Sequence, residues 1–285
     1  MNTSAATVGL GLLAAGTWGG SDFVGGLGAR RSHALLIVGC GHLFSFFCLL
    51  AYCLGRGLAA PSQHDLLFAA LGGFEGSLAL VAFYRALAMG AMGLTAALTG
   101  LLTALVPVVF SLVSEGMPPW FTVAGLGLGL CAIWMISHTP ESDGPGKSQG
   151  TPRRALLLGA LAGCGFGLQL VLFKLASGGG LLWTMTSARG AGSVAMILML
   201  ALTPPARPWK GFWGMGIAAG TLDTLGNLFY IRAAQLGRLD AAAMVSSLYP
   251  AGTILLAAVL LHERPTKRQL AGIGLALGAV LMLGA

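Results

Sequence analysis

Apolar runs of about 20 residues follow one another along this 285-residue chain, separated by short polar connections. A run of that length matches the ~30 Å hydrocarbon core of a bilayer at the ~1.5 Å rise of an α-helix. Inside hydrocarbon every backbone N–H and C=O must find its partner within the protein, which leaves only helices and closed barrels. The alternating pattern of barrel strands is missing, whereas 45 glycines fall in small-xxx-small arrays that let helices approach closely. With 56% hydrophobic and only 9% charged residues, at a mean hydropathy of +0.83, the chain is too apolar for a soluble domain of its length. The expected fold class is all-α integral membrane.

Ten spans are expected, near 7–28, 33–54, 66–88, 92–114 and 118–138, then 155–176, 181–203, 211–234, 239–261 and 267–285. The opening MNTSAAT lacks the basic n-region of a cleaved secretory signal, so the first helix is expected to remain in the mature protein. Residues 139–154, TPESDGPGKSQGTPRR, form the one sustained polar stretch rich in Pro, Gly and Ser, and read as a solvated linker between units 1–138 and 155–285.

The two units are copies. Sliding the chain by 147 positions (232 − 85) sets Arg85 on Arg232, Gly16 on Gly163, Gly20 on Gly167, His42 on Arg189, Pro118 on Pro265 and Met135 on Met282. Five helices per unit is an odd number, so the second copy enters the membrane from the opposite side. Inverted repeats of this kind are a common build for secondary transporters, which place substrate near the midplane between the halves.

The formal net charge of +7 does not point to nucleic acid, because Lys and Arg are spread over the connections rather than gathered on one face. Read as topology signals, they leave Arg56, Lys174, Arg232 and Arg238 on the side of the termini. Arg30, Arg31, Arg85, Lys147, Arg153, Arg154, Arg207, Lys210, Arg264, Lys267 and Arg268 fall on the other. The positive-inside rule then favours both termini outside. Five cysteines, at 40, 48, 53, 131 and 164, lie inside apolar runs without metal-site spacing and read as small core residues.

The chain resembles the drug/metabolite transporter superfamily, specifically its ten-helix EamA-type members. The carriers of the resemblance are Trp18-Gly19 followed by Ser21-Asp22-Phe23, FYRALAMG at 83–90, YIRAAQLG at 230–237 and HERPTKRQLAGIGLALGAVLML at 262–283. The resemblance implies a secondary carrier in the cell membrane for small metabolites, often an exporter of amino acids or related compounds, with cytoplasmic termini. That orientation opposes the charge count, and the question stays open at this stage. Two departures from the family pattern are Ala97, where relatives often carry proline, and SEGMPP after the fourth helix.

Charged side chains at membrane depth are costly, about 2.5–3.5 kcal/mol on insertion scales, so they normally face a partner or a watery cavity. Glu75 and Asp223 lie near the middles of the third and eighth helices, one residue off the repeat register, and are the first candidates for a substrate or ion pathway. A carboxylate in an apolar cavity can exchange a proton as substrate arrives, which makes protons a candidate coupling ion. Either acid could instead be a structural partner of His42 or Arg189, which lie deep in the second and seventh helices and could equally bind an anionic substrate. Asp22 aligns with Gln169 under the shift, and both are candidates for the cavity wall, as is Asn227. Trp18, Trp183, Tyr84, Tyr230 and Tyr249 are candidate stacking walls, against the alternative of packing or interface anchors.

Pro107 and Pro250 fall inside the fourth and ninth helices, where each removes a backbone hydrogen bond and invites a kink usable for gating. Arg85 and Arg232 suit helix ends, and Glu115 and Glu263, just before Pro118 and Pro265, suit the start of the following helices.

Enzyme signals are poor. Gly146-Lys147-Ser148 imitates the end of a phosphate loop, but position 141 is Glu and no strand precedes it. No cofactor or metal is expected. The partners implied are a small-molecule solute and the lipid bilayer; the rival reading is a membrane scaffold without transport.

Overall fold

A computed structural model describes residues 3–29, 31–88, 92–137, 153–204, 211–260, 262 and 266–284. These form eleven α-helices and one 3₁₀ turn, with no strand among the described residues. In the first half, α1 spans Thr3–Ala29, α2 Ala34–Gly55, α3 Gln63–Ala88, α4 Met92–Ser114 and α5 Trp120–Ser137. In the second, α6 spans Arg153–Leu175, α7 Leu181–Leu202, α8 Phe212–Leu236, α9 Leu239–Ser246, α10 Tyr249–Leu260 and α11 Lys267–Gly284. The ten helical segments expected are present, and the ninth is divided into α9 and α10. Most of the linker, residues 138–152, lies outside the described residues, and Arg153 and Arg154 already belong to α6.

Polar caps define several helix starts where the chain leaves the apolar core. Ser62 and Asp65 cap α3 reciprocally, the Ser62 hydroxyl donating to Asp65 Oδ2 at 2.7 Å and accepting from Asp65 N at 3.1 Å. Thr266 and Gln269 do the same for α11, with Thr266 N donating to Gln269 Oε1 at 2.9 Å. Among the described residues, five segments are long and apolar enough to cross a membrane: Ala34–Gly55, Gln63–Phe83, Arg153–Leu175, Leu181–Leu202 and Leu239–Leu260. Large apolar side chains face outward all round the bundle, Val113 at 84% and Trp120 at 79% exposure among them. In water such a surface would drive association; in lipid it is the ordinary solvent-facing side. The cysteines divide across that boundary: Cys40 and Cys53 are buried, whereas Cys48, Cys131 and Cys164 are exposed on the outer face. Reading all five as core residues was therefore wrong for three, because a thiol on the lipid side fits an apolar solvent as well as it fits a core.

Helix α1 packs on α8 and α3 on α6; α2 lies against α8 and α7 against α3; α4 meets α6 while α9 and α10 meet α1; α5 pairs with α11. Glycine makes the tightest crossings. Gly41 of α2 and Gly220 of α8 meet backbone to backbone, and Gly73 of α3 sits against the Ala188 carbonyl of α7. One buried cluster joins Val8, Ala104, Ile133, Met244 and Ala276, and a second joins Phe173, Met185, Tyr230 and Leu239.

At one end of the bundle a charged network ties α4, α6, α8 and α9 together. Lys174 Nζ donates to the Ala234 carbonyl and, at 3.2 Å, to that of Gly237, and lies 3.5 Å from Glu115 Oε1. Glu115 Oε2 accepts from Ser111 Oγ at 2.9 Å and from Leu239 N at 3.0 Å, so this acid caps α9 rather than the helix after Pro118. Arg238 donates to the Gly116 carbonyl at 2.7 Å and to Asp240 Oδ2 at 2.8 Å. The Asp240 hydrogen bond holds the Arg238 proton more firmly than usual. Asp240 is fully buried, with Ala241 N donating to its Oδ1 at 2.7 Å. Arg238→Met is expected to lower the thermal midpoint in detergent, at a cost of about 1–3 kcal/mol for the orphaned carboxylate. An unchanged midpoint would mean that backbone N–H groups alone satisfy Asp240. Glu263 lies outside the described residues.

The break between α9 and α10 falls at Ser247 and Leu248, two residues before Pro250. Pro250 has no N–H to offer the Ser246 carbonyl, and the Ser246 and Ser247 hydroxyls are buried without a hydrogen-bond partner. Helix α4, by contrast, runs through Pro107 uninterrupted.

Candidate functional site

The middle of the bundle holds a cavity of about 810 Å³, part of it open to solvent, between helices of both halves. From α1 come Trp18 and Asp22, four residues apart and hence on one helix face. His42 enters from α2, Gln169 from α6, Arg189 from α7, and Asp223 and Asn227 from α8. Seven of the eight pathway candidates therefore meet on one shared space. Sequence reasoning did not single out the phenylalanines that complete it, Phe83, Phe166 and Phe173, because apolar aromatics carry no distinguishing signal in an apolar chain. Ser77 was missed because a helical serine ordinarily bonds to its own helix, as this one does to the Gly73 carbonyl.

Arg189 Nη2 donates to Asp223 Oδ2 in a part-buried ion pair, so each group is the other's partner. The two members are placed differently: the Arg189 side chain is only 4% exposed, that of Asp223 34%. Arg189 Nε is buried with no partner. The cavity thus presents the carboxylate and hides the guanidinium behind it. Asn227 Nδ2 donates to the Asp223 carbonyl at 2.8 Å. Elsewhere on the wall His42 Nδ1 lies 3.5 Å from Ser77 Oγ, which donates to the Gly73 carbonyl at 2.8 Å. Gly192 leaves the room that this pair occupies, since a Cβ there would meet both atoms at 2.7 Å.

Trp18 forms an aromatic corner, tilted against Tyr230 at 6.0 Å between ring centroids and edge-on to Tyr249 at 6.4 Å. Gly226 admits its indole, as a Cβ there would meet the indole nitrogen at 2.7 Å. Tyr249 lines the cavity, whereas Tyr230 is fully buried and donates to the Leu170 carbonyl at 2.8 Å, a packing role. Trp183 donates to the Leu58 carbonyl at 3.2 Å away from the cavity, and the Tyr84 and Arg85 side chains lie outside the described residues.

Glu75 is the eighth candidate, and it does not line the cavity. Its Oε1 packs against Gly165 of α6, and its Oε2 is buried without a partner. The cavity position equivalent to Asp223 is Gly76 (223 − 147), which faces Gln169. A one-residue slip turns a helical side chain by about 100°, enough to carry Glu75 from the cavity to the α3–α6 seam. Glu75→Gln is therefore expected to change ligand binding in the cavity by less than about twofold, as for sites with no shared partner. A loss matching that of Asp223→Asn, measured by titration calorimetry, would return Glu75 to the site.

The second half of the sequence agrees with this architecture: residues 153–285 match the model of the EamA-like transporter family. Among solved structures, a crystal structure of a protein superimposes with a TM-score of 0.76 over 97% of this chain and 95% of its own, at 19% identity, a likeness of fold. No curated protein matches the sequence. Residues 153–285 thus form an EamA-like transporter family domain, and the apolar helices are those of a multi-pass membrane protein.

Proposed function

We propose that the protein is a secondary transporter of small organic metabolites in the cell membrane, built from two inverted five-helix repeats and working by alternating access. The observation that carries this reading is the convergence of polar residues from both halves on one midbundle cavity. The inverted repeat draws support from the packing. Exchanging each helix for its counterpart in the other half, with α9 and α10 together answering to α4, turns α1–α8 contact into α6–α3 contact and α2–α8 into α7–α3. The pairing of α4 with α6 likewise becomes that of α9 and α10 with α1, and α5–α11 maps onto itself. A scaffold would need neither the cavity nor its ion pair.

Alternating access requires that contacts at one end part while others form. The Glu115–Lys174–Arg238–Asp240 network is suited to hold one end shut, and the break at Ser247 and Leu248 beside Pro250 is suited to bend. Protons are the proposed coupling ion, with Asp22 as the cavity carboxylate that carries them, since Asp223 is paired with Arg189.

Purified protein reconstituted in liposomes loaded with a defined mixture of amino acids, amines and organic acids tests the reading. Mass spectrometry is expected to record release of at least one class faster than from protein-free liposomes. Release of none, in either direction and with or without a pH gradient, by protein that is monodisperse before reconstitution, rules the carrier out. Equal rates with and without the gradient would remove the proton and leave the carrier.

A further inference from the structure

Among the described residues the cavity lining contains more acid than base, and its one strong cation is already engaged. Its lining among the described residues holds Asp22, Asp223, Arg189 and His42 as acidic or basic groups. With histidine counted neutral, Arg189 and Asp223 cancel and Asp22 is left over. No hydrogen bond or ion pair among the described residues engages the Asp22 carboxylate, which shares the cavity lining with Asp223 and Tyr249. A carboxylate held at membrane depth without a counter-ion is costly, and the missing partner is a positive charge.

The surroundings specify what kind. Trp18 stands one turn before Asp22 on the same face of α1, with Tyr249 edge-on to its indole. An aromatic face beside an acid is the arrangement that attracts an ammonium group, by the ring quadrupole together with the carboxylate. An anionic ligand finds no equivalent. The Arg189 side chain is almost wholly covered, Nη2 is committed to Asp223, and Nε is sealed from the cavity. The phenylalanines of the lining offer room for an apolar body.

We infer that the cavity recognises small organic cations, molecules with a protonated amine on an apolar or aromatic body, the amine seated on Asp22 against Trp18 and Tyr249. This assignment rests on the reading of the cavity as a carrier's substrate site. It assigns Asp22 the ligand's counter-charge and Asp223 the task of neutralising Arg189.

Three probes of similar size test it: phenethylamine, phenethyl alcohol and phenylacetate, titrated calorimetrically into the wild-type protein in detergent and then used for counterflow in liposomes. Phenethylamine is expected to bind about tenfold or more tighter than either of the others, the scale of one charge-assisted contact with its cation–π support. Asp22→Asn is expected to erase that preference, so that amine and alcohol bind alike, and Asp22→Glu to retain part of it. Equal binding of amine and alcohol by the wild type overturns the inference whether or not the variants fold, as does tightest binding of phenylacetate or no binding of any probe. Selective amine binding without counterflow leaves the cation site standing and removes the carrier. Counterflow of phenylacetate or phenethyl alcohol in preference to the amine removes the cation site and leaves the carrier.

Discussion

Replacing Asp223 with alanine is expected to destabilise the folded protein by about 3 kcal/mol, the lower end for a buried ion pair that loses one member. The loss is large because of what stays behind. Arg189 keeps its charge, its side chain is 4% exposed, and its Nε already lacks a partner. Arg189→Met is expected to cost less, since the orphan it leaves is a carboxylate one-third open to the cavity. Thermal midpoints of the two variants in one detergent measure the difference. The double variant is expected to be more stable than Asp223→Ala alone, the mark of coupled sites. If Asp223→Ala melts no lower than Arg189→Met, Asp223 is not what holds the buried guanidinium.

A comparable loss, about 1–3 kcal/mol or more, is expected from adding a single methyl group at Gly73. The new Cβ would fall on the Ala188 backbone, and a backbone cannot turn aside as a side chain does. Helices α3 and α7 would have to separate, moving Ser77 away from His42 and Arg189 away from Asp223. Gly127→Ala is the matched control: nothing lies within 4 Å of its would-be Cβ, and alanine is a better helix former by about 1 kcal/mol. Gly73→Ala is expected to reduce the yield of monodisperse protein and to lower its melting midpoint, while Gly127→Ala leaves both unchanged or improved. Equal behaviour would mean that the α3–α7 seam is loose.

The helices were legible because hydrocarbon permits so few backbone solutions that run length alone locates them. Helix α4 lies at the residues expected, and α7 ends one residue early. The internal shift also carried side-chain information. It paired His42 with Arg189 and Asp22 with Gln169, and all four line the cavity. Glu75 lies off the cavity, and the shift itself gives the reason, since it names Gly76 as the counterpart of Asp223. The end network was hidden for another reason. Glu115, Lys174, Arg238 and Asp240 each look like ordinary helix-end residues, and only folding brings Glu115 within 3.5 Å of a lysine 59 positions later (174 − 115). The partner of Arg189 was likewise one of two acids until geometry chose Asp223.

The two prolines have a consequence for direction. Helix α4 passes through Pro107 unbroken, while its counterpart is cut into α9 and α10 just before Pro250. In the carrier proposed above, whose halves would exchange roles, a bend that is ready-made in one half and absent in the other would make the two half-cycles unequal in height of barrier. Flux from one face would then saturate earlier than flux from the opposite face. The final concentrations would not differ, because a hinge alters rates and only a gradient alters where the solute comes to rest.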